Sequence, residues 1–185
     1  MKKVLFLFVV CLFIFSCGAK RTQRDIFSIA KDGTPEEVTA AVNSGADLNA
    51  RDYNGLTPLM YAAENNNDPE VITTMVNLGA DLTARSNAGT TPFMHAAGWS
   101  KNPEIITTLI DLGADLNARD NNDLTPLMYA AGVNETPEVL LTLLNLGADT
   151  NAKNAYGTTP WDFIQKNEHL KNTEAYDALK VATGN

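Results

Sequence analysis

The chain predicts an all-α repeat solenoid of about five stacked helix pairs, with a projecting hairpin between successive pairs. Three observations predict it. Thr-Pro-x-Met-x-Ala-Ala begins at Thr57, Thr91 and Thr125, and Thr-Pro returns at Thr159, a constant step of 34 residues. When units 51–84, 85–118 and 119–152 are superimposed, 14 of 34 columns are identical in all three, too many for coincidence. Helix starts and stops recur in phase with that period, and no single unit could bury its apolar face without a neighbour.

Each unit opens with a threonine followed by Pro58, Pro92 or Pro126. A hydroxyl able to cap a free N–H, then a proline with φ already helical, is a helix start. Ala62-Ala63 and their counterparts keep this first helix thin, so that copies can approach closely. A second start follows at Asp68-Pro69, Asn102-Pro103 and Thr136-Pro137, and one period earlier at Thr34-Pro35. Glu70, Glu104 and Glu138 fall in the first turn, where the positive end of the helix dipole favours a carboxylate. Apolar residues then recur at helical spacing, as in Val71, Ile72, Met75, Val76 and Leu78. Gly79, Gly113 and Gly147 stop the second helix by entering the left-handed region. The stretch that leads to the next unit is extended and turned, with Asn54-Gly55 as a tight turn.

In "DYNGLTPLMYAA" and "GADLTA" the chain closely resembles the ankyrin repeat family, whose pattern runs D-x-x-G-x-T-P-L-H-x-A-A and then G-A-D-V-N-A. The resemblance covers roughly Arg24 to Lys180. Met60, Met94 and Met128 stand where that pattern has histidine, which leaves a more apolar seam, and the period exceeds the family's common one by one residue. Asp123 replaces the turn glycine, which aspartate tolerates. The end units are degenerate: "DIFSIAKDGTPEEVTAAVNSGADLNA" lacks the Thr-Pro start, and "TTPWDFIQKNEHLKNTEAYDALKVA" drops Ala-Ala and Pro-Glu. Polar outer faces on terminal units keep such an array soluble. The array is expected over 24–181, with an N-terminal cap at 24–50, full repeats at 51–84, 85–118 and 119–152, and a C-terminal cap at 153–181.

"MKKVLFLFVVCLFIFSCGAK" is of another kind. Two lysines precede a 12-residue apolar run, Val4 to Phe15, too short for the roughly 20 residues of a membrane span. A small residue and Cys17 close it, the three-part layout of an export signal. "IFSC" resembles the bacterial lipobox, which implies a lipoprotein signal peptide at 1–16, a diacylglyceryl group on Cys17, and acylation of the new amino terminus. Residues 17–23 then form a lipidated tether. The alternative is an ordinary secretory signal cleaved a little later, with Cys17 incidental. With Cys11 removed alongside the signal, the exported domain has no thiol able to pair. The resemblance implies a domain in a bacterial envelope, held to the membrane through Cys17 and facing the periplasm, with a structural spacer that has no specific client, or a surface-displayed module that binds host proteins, as the alternatives. Lys20, Arg21 and Arg24 lie beside the lipid, either against anionic headgroups or as a solvated tether.

Without Lys2 and Lys3 the chain carries 12 basic against 22 acidic residues, a formal charge of −10, which argues against nucleic acid as a partner. His95 and His169 are the only histidines, too few for clustered zinc ligands, and no phosphate-cradling glycine loop or Gly-x-Ser-x-Gly is present. Asp47, Asp81, Asp115 and Asp149 repeat with the scaffold, and the resemblance implies that they brace the hairpin rather than hold calcium. Arg51, Arg85, Arg119 and Lys153 form a parallel basic ladder, expected to bond to neighbouring hairpins. No enzyme activity, cofactor, metal or small-molecule substrate is expected.

Function is then expected in the columns that do not repeat. By the resemblance, hairpin tips and the ends of the first helices line a concave groove for a protein partner. Those positions are Tyr53, Asn54, Leu56, Asn87, Asn121, Asn122 and Tyr156 at the tips, and Glu64, Trp99 and Lys166 at the helix ends, with Asn65, Gly98, Gly132, Val133 and Asn167 beside them. His95, where sister repeats carry Tyr61 and Tyr129, belongs to the same face. Exposed Tyr and Trp are the residue types that dominate binding energy, whereas Leu56 and Val133 have the alternative of packing on neighbouring hairpins.

Overall fold

A computed structural model describes residues 24–185, and among these the regular elements are ten helices and no strand. They fall into five pairs: α1 (Ile26–Asp32) and α2 (Pro35–Asn43); α3 (Pro58–Asn65) and α4 (Pro69–Asn77); α5 (Pro92–Trp99) and α6 (Pro103–Asp111); α7 (Pro126–Val133) and α8 (Pro137–Asn145); α9 (Pro160–Ile164) and α10 (Glu174–Thr183). The last helix runs two residues past the boundary read from the sequence. The first helices α1, α3, α5, α7 and α9 stack as one layer, and α2, α4, α6, α8 and α10 as a second.

Helices of eight or nine residues are too short to persist alone, so their stability comes from packing and from their ends. Each full repeat buries the same pattern. The first helix contributes Leu59 and Met60, Phe93 and Met94, or Leu127 and Met128, all at most 1% exposed, with the alanine pairs beneath them. The second contributes Val71, Ile72 and Met75, then Ile105, Ile106 and Leu109, then Val139, Leu140 and Leu143. Truncating any one of these large side chains to alanine costs about 2–5 kcal/mol, because a stacked layer cannot collapse around the gap.

Gly79, Gly113 and Gly147 have φ of 102°, 101° and 86°, the left-handed stop that their position implied. The Thr-Pro starts are realised at every site, but the capping is uneven. Thr91 and Thr125 accept the N–H of the third helical residue at 3.3 Å. Thr57 does not: its buried hydroxyl has no partner, and its own N–H donates to Met60 Sδ at 3.4 Å. Thr136 makes no cap bond either. Proline at the next residue and an extended backbone at the cap suffice to launch those two helices.

Candidate functional site

The hairpins carry no strand ladder, yet each is braced by one side chain. Asp52 Oδ1 accepts the N–H of Asn54 at 2.9 Å and of Leu56 at 2.8 Å, while Oδ2 accepts the Tyr61 hydroxyl at 2.8 Å. Asp120 does the same with Asn122, Leu124 and Tyr129. These bonds together outweigh burial and hold the Asp52 carboxyl below its ordinary range. Burial and the same bond push Tyr61 up to about 12, and Tyr129 is raised in the same way. The Asp47 ladder works at the base of the same hairpins. Asp47, Asp81, Asp115 and Asp149 each accept the N–H two residues on, at 2.8–2.9 Å, and so brace the turn that leaves the second helix rather than the hairpin tip.

In the second repeat Ser86 and His95 replace the aspartate and the tyrosine. Ser86 Oγ accepts from Ala88 and Thr90 and lies 2.6 Å from Thr90 Oγ1. Thr90 Oγ1 is 3.1 Å from His95 Nε2, and His95 Nδ1 is 3.2 Å from Glu64 Oε2 of the preceding repeat. Carboxylate, imidazole and hydroxyl lie in the order of a nucleophilic relay, but Thr90 is 7% exposed and its oxygen is taken up by Ser86. The line is a strut. His95, 6% exposed, therefore does not belong to the open face on which its column placed it.

Neighbouring hairpins are laced together through backbone carbonyls. Arg51 donates to Arg85 O at 2.6 Å, Arg85 to Arg119 O at 2.6 Å and Arg119 to Lys153 O at 2.9 Å, as the basic ladder implied. At the tips, Asn87 Nδ2 donates to Tyr53 O at 3.1 Å and Asn121 Nδ2 to Asn87 O at 3.0 Å. Backbone bonds from Asn87 N to Asn54 O, Asn121 N to Ala88 O and Ala155 N to Asn122 O run alongside. The side chains of Asn87 and Asn121, expected to be free for recognition, are thus committed to the stack. The turn glycines allow this approach: a Cβ on Gly89, at φ 80°, would stand 2.9 Å from Asn121 N.

A third lattice went unread in the sequence. Asn66 donates to the carbonyls of Ala30 and Gly33, Asn134 to Ala97 and Ser100, and Asn167 to Ala131 and Asn134. Each tethers the loop between one helix pair to the pair before it. All three are at most 5% exposed, so Asn167 is structural and not a groove residue. The asparagines at 66 and 134, two periods apart, were the available signal.

What stays open is narrower than the variable columns suggested. Tyr53 and Tyr156, at 89% and 81% exposed, stand at opposite ends of the row of hairpin tips. Asn54, Asn122 and Lys166 are exposed, Leu56 is half-buried, and Glu64 is half-buried against His95. Trp99 is 42% exposed, its ring centroid 5.4 Å from His95 and 5.7 Å from Tyr129 of the next repeat. It walls two recesses. One, about 330 Å³, is shared with Glu64, Asn65, Asn67 and Lys101; the other, about 210 Å³, with Gly98, Lys101, Val133, Asn134, Glu135 and Thr136. Arg24 is drawn into the first helix pair, donating to Ser28 O at 2.6 Å and pairing with Asp32 and Glu37. Cys17, Lys20 and Arg21 lie outside the described residues.

Among the described residues no helix is long and apolar enough to cross a membrane, and no His, Cys, Asp or Glu group is placed to hold a metal ion. A family model described as ankyrin repeats in three copies matches residues 8–86 and 65–154. The chain belongs to the ankyrin repeat family. No curated protein matches it. Ankyrin repeats are protein–protein interaction modules, and this array therefore has a protein as its partner class. Its candidate surface is the run of helix ends and tips around Trp99.

Proposed function

We propose that the protein is a lipid-anchored ankyrin module of a bacterial envelope, holding a protein partner at the membrane. The anchor reading is supported by the basic start, the apolar run from Val4 to Phe15 and "IFSC" ending at Cys17. Several acyl chains bind far more firmly than one, so attachment through Cys17 would be permanent on the timescale of partner exchange. The binding reading is carried by Trp99, a large aromatic with 42% of its surface open at a position where sister repeats have Asn65 and Val133. Its ring also packs between His95 and Tyr129, but asparagine and valine fill the same column in sister repeats, so the repeat pattern itself does not require an aromatic there.

Three measurements test the reading. Cys17→Ala should abolish labelling by a radioactive fatty acid and leave the precursor unprocessed or soluble; processing and membrane binding like the parent's would refute the anchor. Affinity capture from detergent-solubilised envelopes should retain a stoichiometric protein with the parent and lose it with Trp99→Ala. An array that retains none is a spacer without a client. Protease digestion of intact cells separates a periplasmic array from one displayed outward.

A further inference from the structure

Resting on the protein-binding reading above, we infer that the Trp99 recesses receive a lysine- or arginine-bearing segment of the partner, its aliphatic stem lying on Trp99 and Val133 and its cation meeting Glu135 or Glu64. The three full repeats hold 13 acidic and four basic residues, a formal charge of −9 over 51–152. Three of those four, Arg51, Arg85 and Arg119, donate to carbonyls of the next hairpin and are tied to the scaffold. Lys101 remains, exposed and in no ion pair among the described residues. At the recesses themselves Glu64 and Glu135 stand against Lys101 alone, within an array of strong acidic excess, and such fields select and steer cationic partners.

The recesses then say where the cation would settle. Trp99 is their common wall, with Glu64 in one and Glu135 in the other. The Glu135 side chain is 64% exposed and lies 3.5 Å from the equally exposed His169. On the same wall Val133 is 49% exposed, and buried Gly98 adds no side chain. Apolar floor with a carboxylate at the rim suits an amphipathic cation, whose methylenes take the floor while the charge stays at the edge. An acidic segment would meet the same apolar floor but would set its carboxylates against Glu64 and Glu135, with Lys101 alone to offset them.

The test uses the full array and three peptides of equal length, in which leucine alternates with lysine, glutamate or serine, titrated calorimetrically. The lysine peptide should bind most tightly, more weakly as salt rises. Trp99→Ala should weaken it about tenfold or more, as for a central aromatic anchor. Glu135→Gln should weaken it severalfold and Lys101→Ala should tighten it, with melting temperature checking the fold of each variant. Glutamate-peptide binding as tight as the lysine peptide's, a Lys101→Ala variant that binds more weakly, or no binding by any peptide would each overturn the inference. In envelopes, a photoreactive benzoylphenylalanine in place of exposed Asn67 would couple to whatever occupies the recess. A coupled protein segment rich in lysine or arginine supports the inference. One lacking both overturns it while the protein-binding reading stands, and the absence of any coupled protein overturns both.

Discussion

Asn134→Ala should be among the most damaging single changes that touch no large apolar side chain. Asn134 is 2% exposed, and its amide donates to Ala97 O at 2.9 Å and Ser100 O at 3.1 Å, while its Oδ1 accepts Thr136 N at 2.7 Å. Alanine removes three hydrogen bonds, each worth about 0.5–1.5 kcal/mol net, and leaves two buried carbonyls without that donor. The expected loss is about 3 kcal/mol. For an array of this size that corresponds to roughly 6–12 °C in melting temperature, followed by circular dichroism or calorimetry. Asn134→Asp should be at least as harmful, since it keeps the bond to Thr136 but turns a carboxylate toward two carbonyls. Asn122→Ala is the control: its side chain is exposed at a hairpin tip, and the change should stay within about 0.5 kcal/mol. An Asn134→Ala variant that melts with the Asn122→Ala control would refute the claim that this asparagine locks adjacent repeats.

The other predictions concern backbone, groove and pH. Gly113→Ala meets nothing within 4 Å and carries only the strain of φ 101°, about 1 kcal/mol, whereas Gly89→Ala adds a clash with Asn121 and should cost clearly more; equal melting temperatures would contradict the close packing of the tips. Trp99→Ala should lower partner affinity by roughly 2 kcal/mol with little change in melting temperature, and an early-melting variant would assign Trp99 to the core instead. In alkali, Tyr61 is raised from 10.0 to about 12, so its contribution is whole below pH 10 and is lost as pH rises toward 12; Tyr61→Phe should flatten that limb in a pH–stability profile. In acid the sign reverses. Asp25, Asp52 and Asp162 are all held below their ordinary 3.8, so the stability they contribute above that pH should drain away on further acidification, less steeply in Asp52→Asn.

The sequence by itself determined the period, the five helix pairs, and the starts and stops of the helices in the full repeats. Those features rest on interactions within a few residues: proline's fixed φ after Thr91, the left-handed turn at Gly113, the apolar spacing of Ile105, Ile106 and Leu109. It also announced the arginine ladder, because a charge repeated in register must face the same environment in each copy. Only the tertiary structure decided which variable positions are free. Asn87 and Asn121 vary from Tyr53 in the same column, yet both spend their amides on the preceding tip. His95 looked like an open face residue until Glu64, 31 residues away, and Thr90 closed around it. The physical reason is that stacking turns residues about one period apart into neighbours, so a polar side chain finds its partner across a distance that local pattern does not register. One trace of this was legible. Aspartate and tyrosine, bonded directly at 52 and 61 and again at 120 and 129, give way together to Ser86 and His95, which are linked through Thr90.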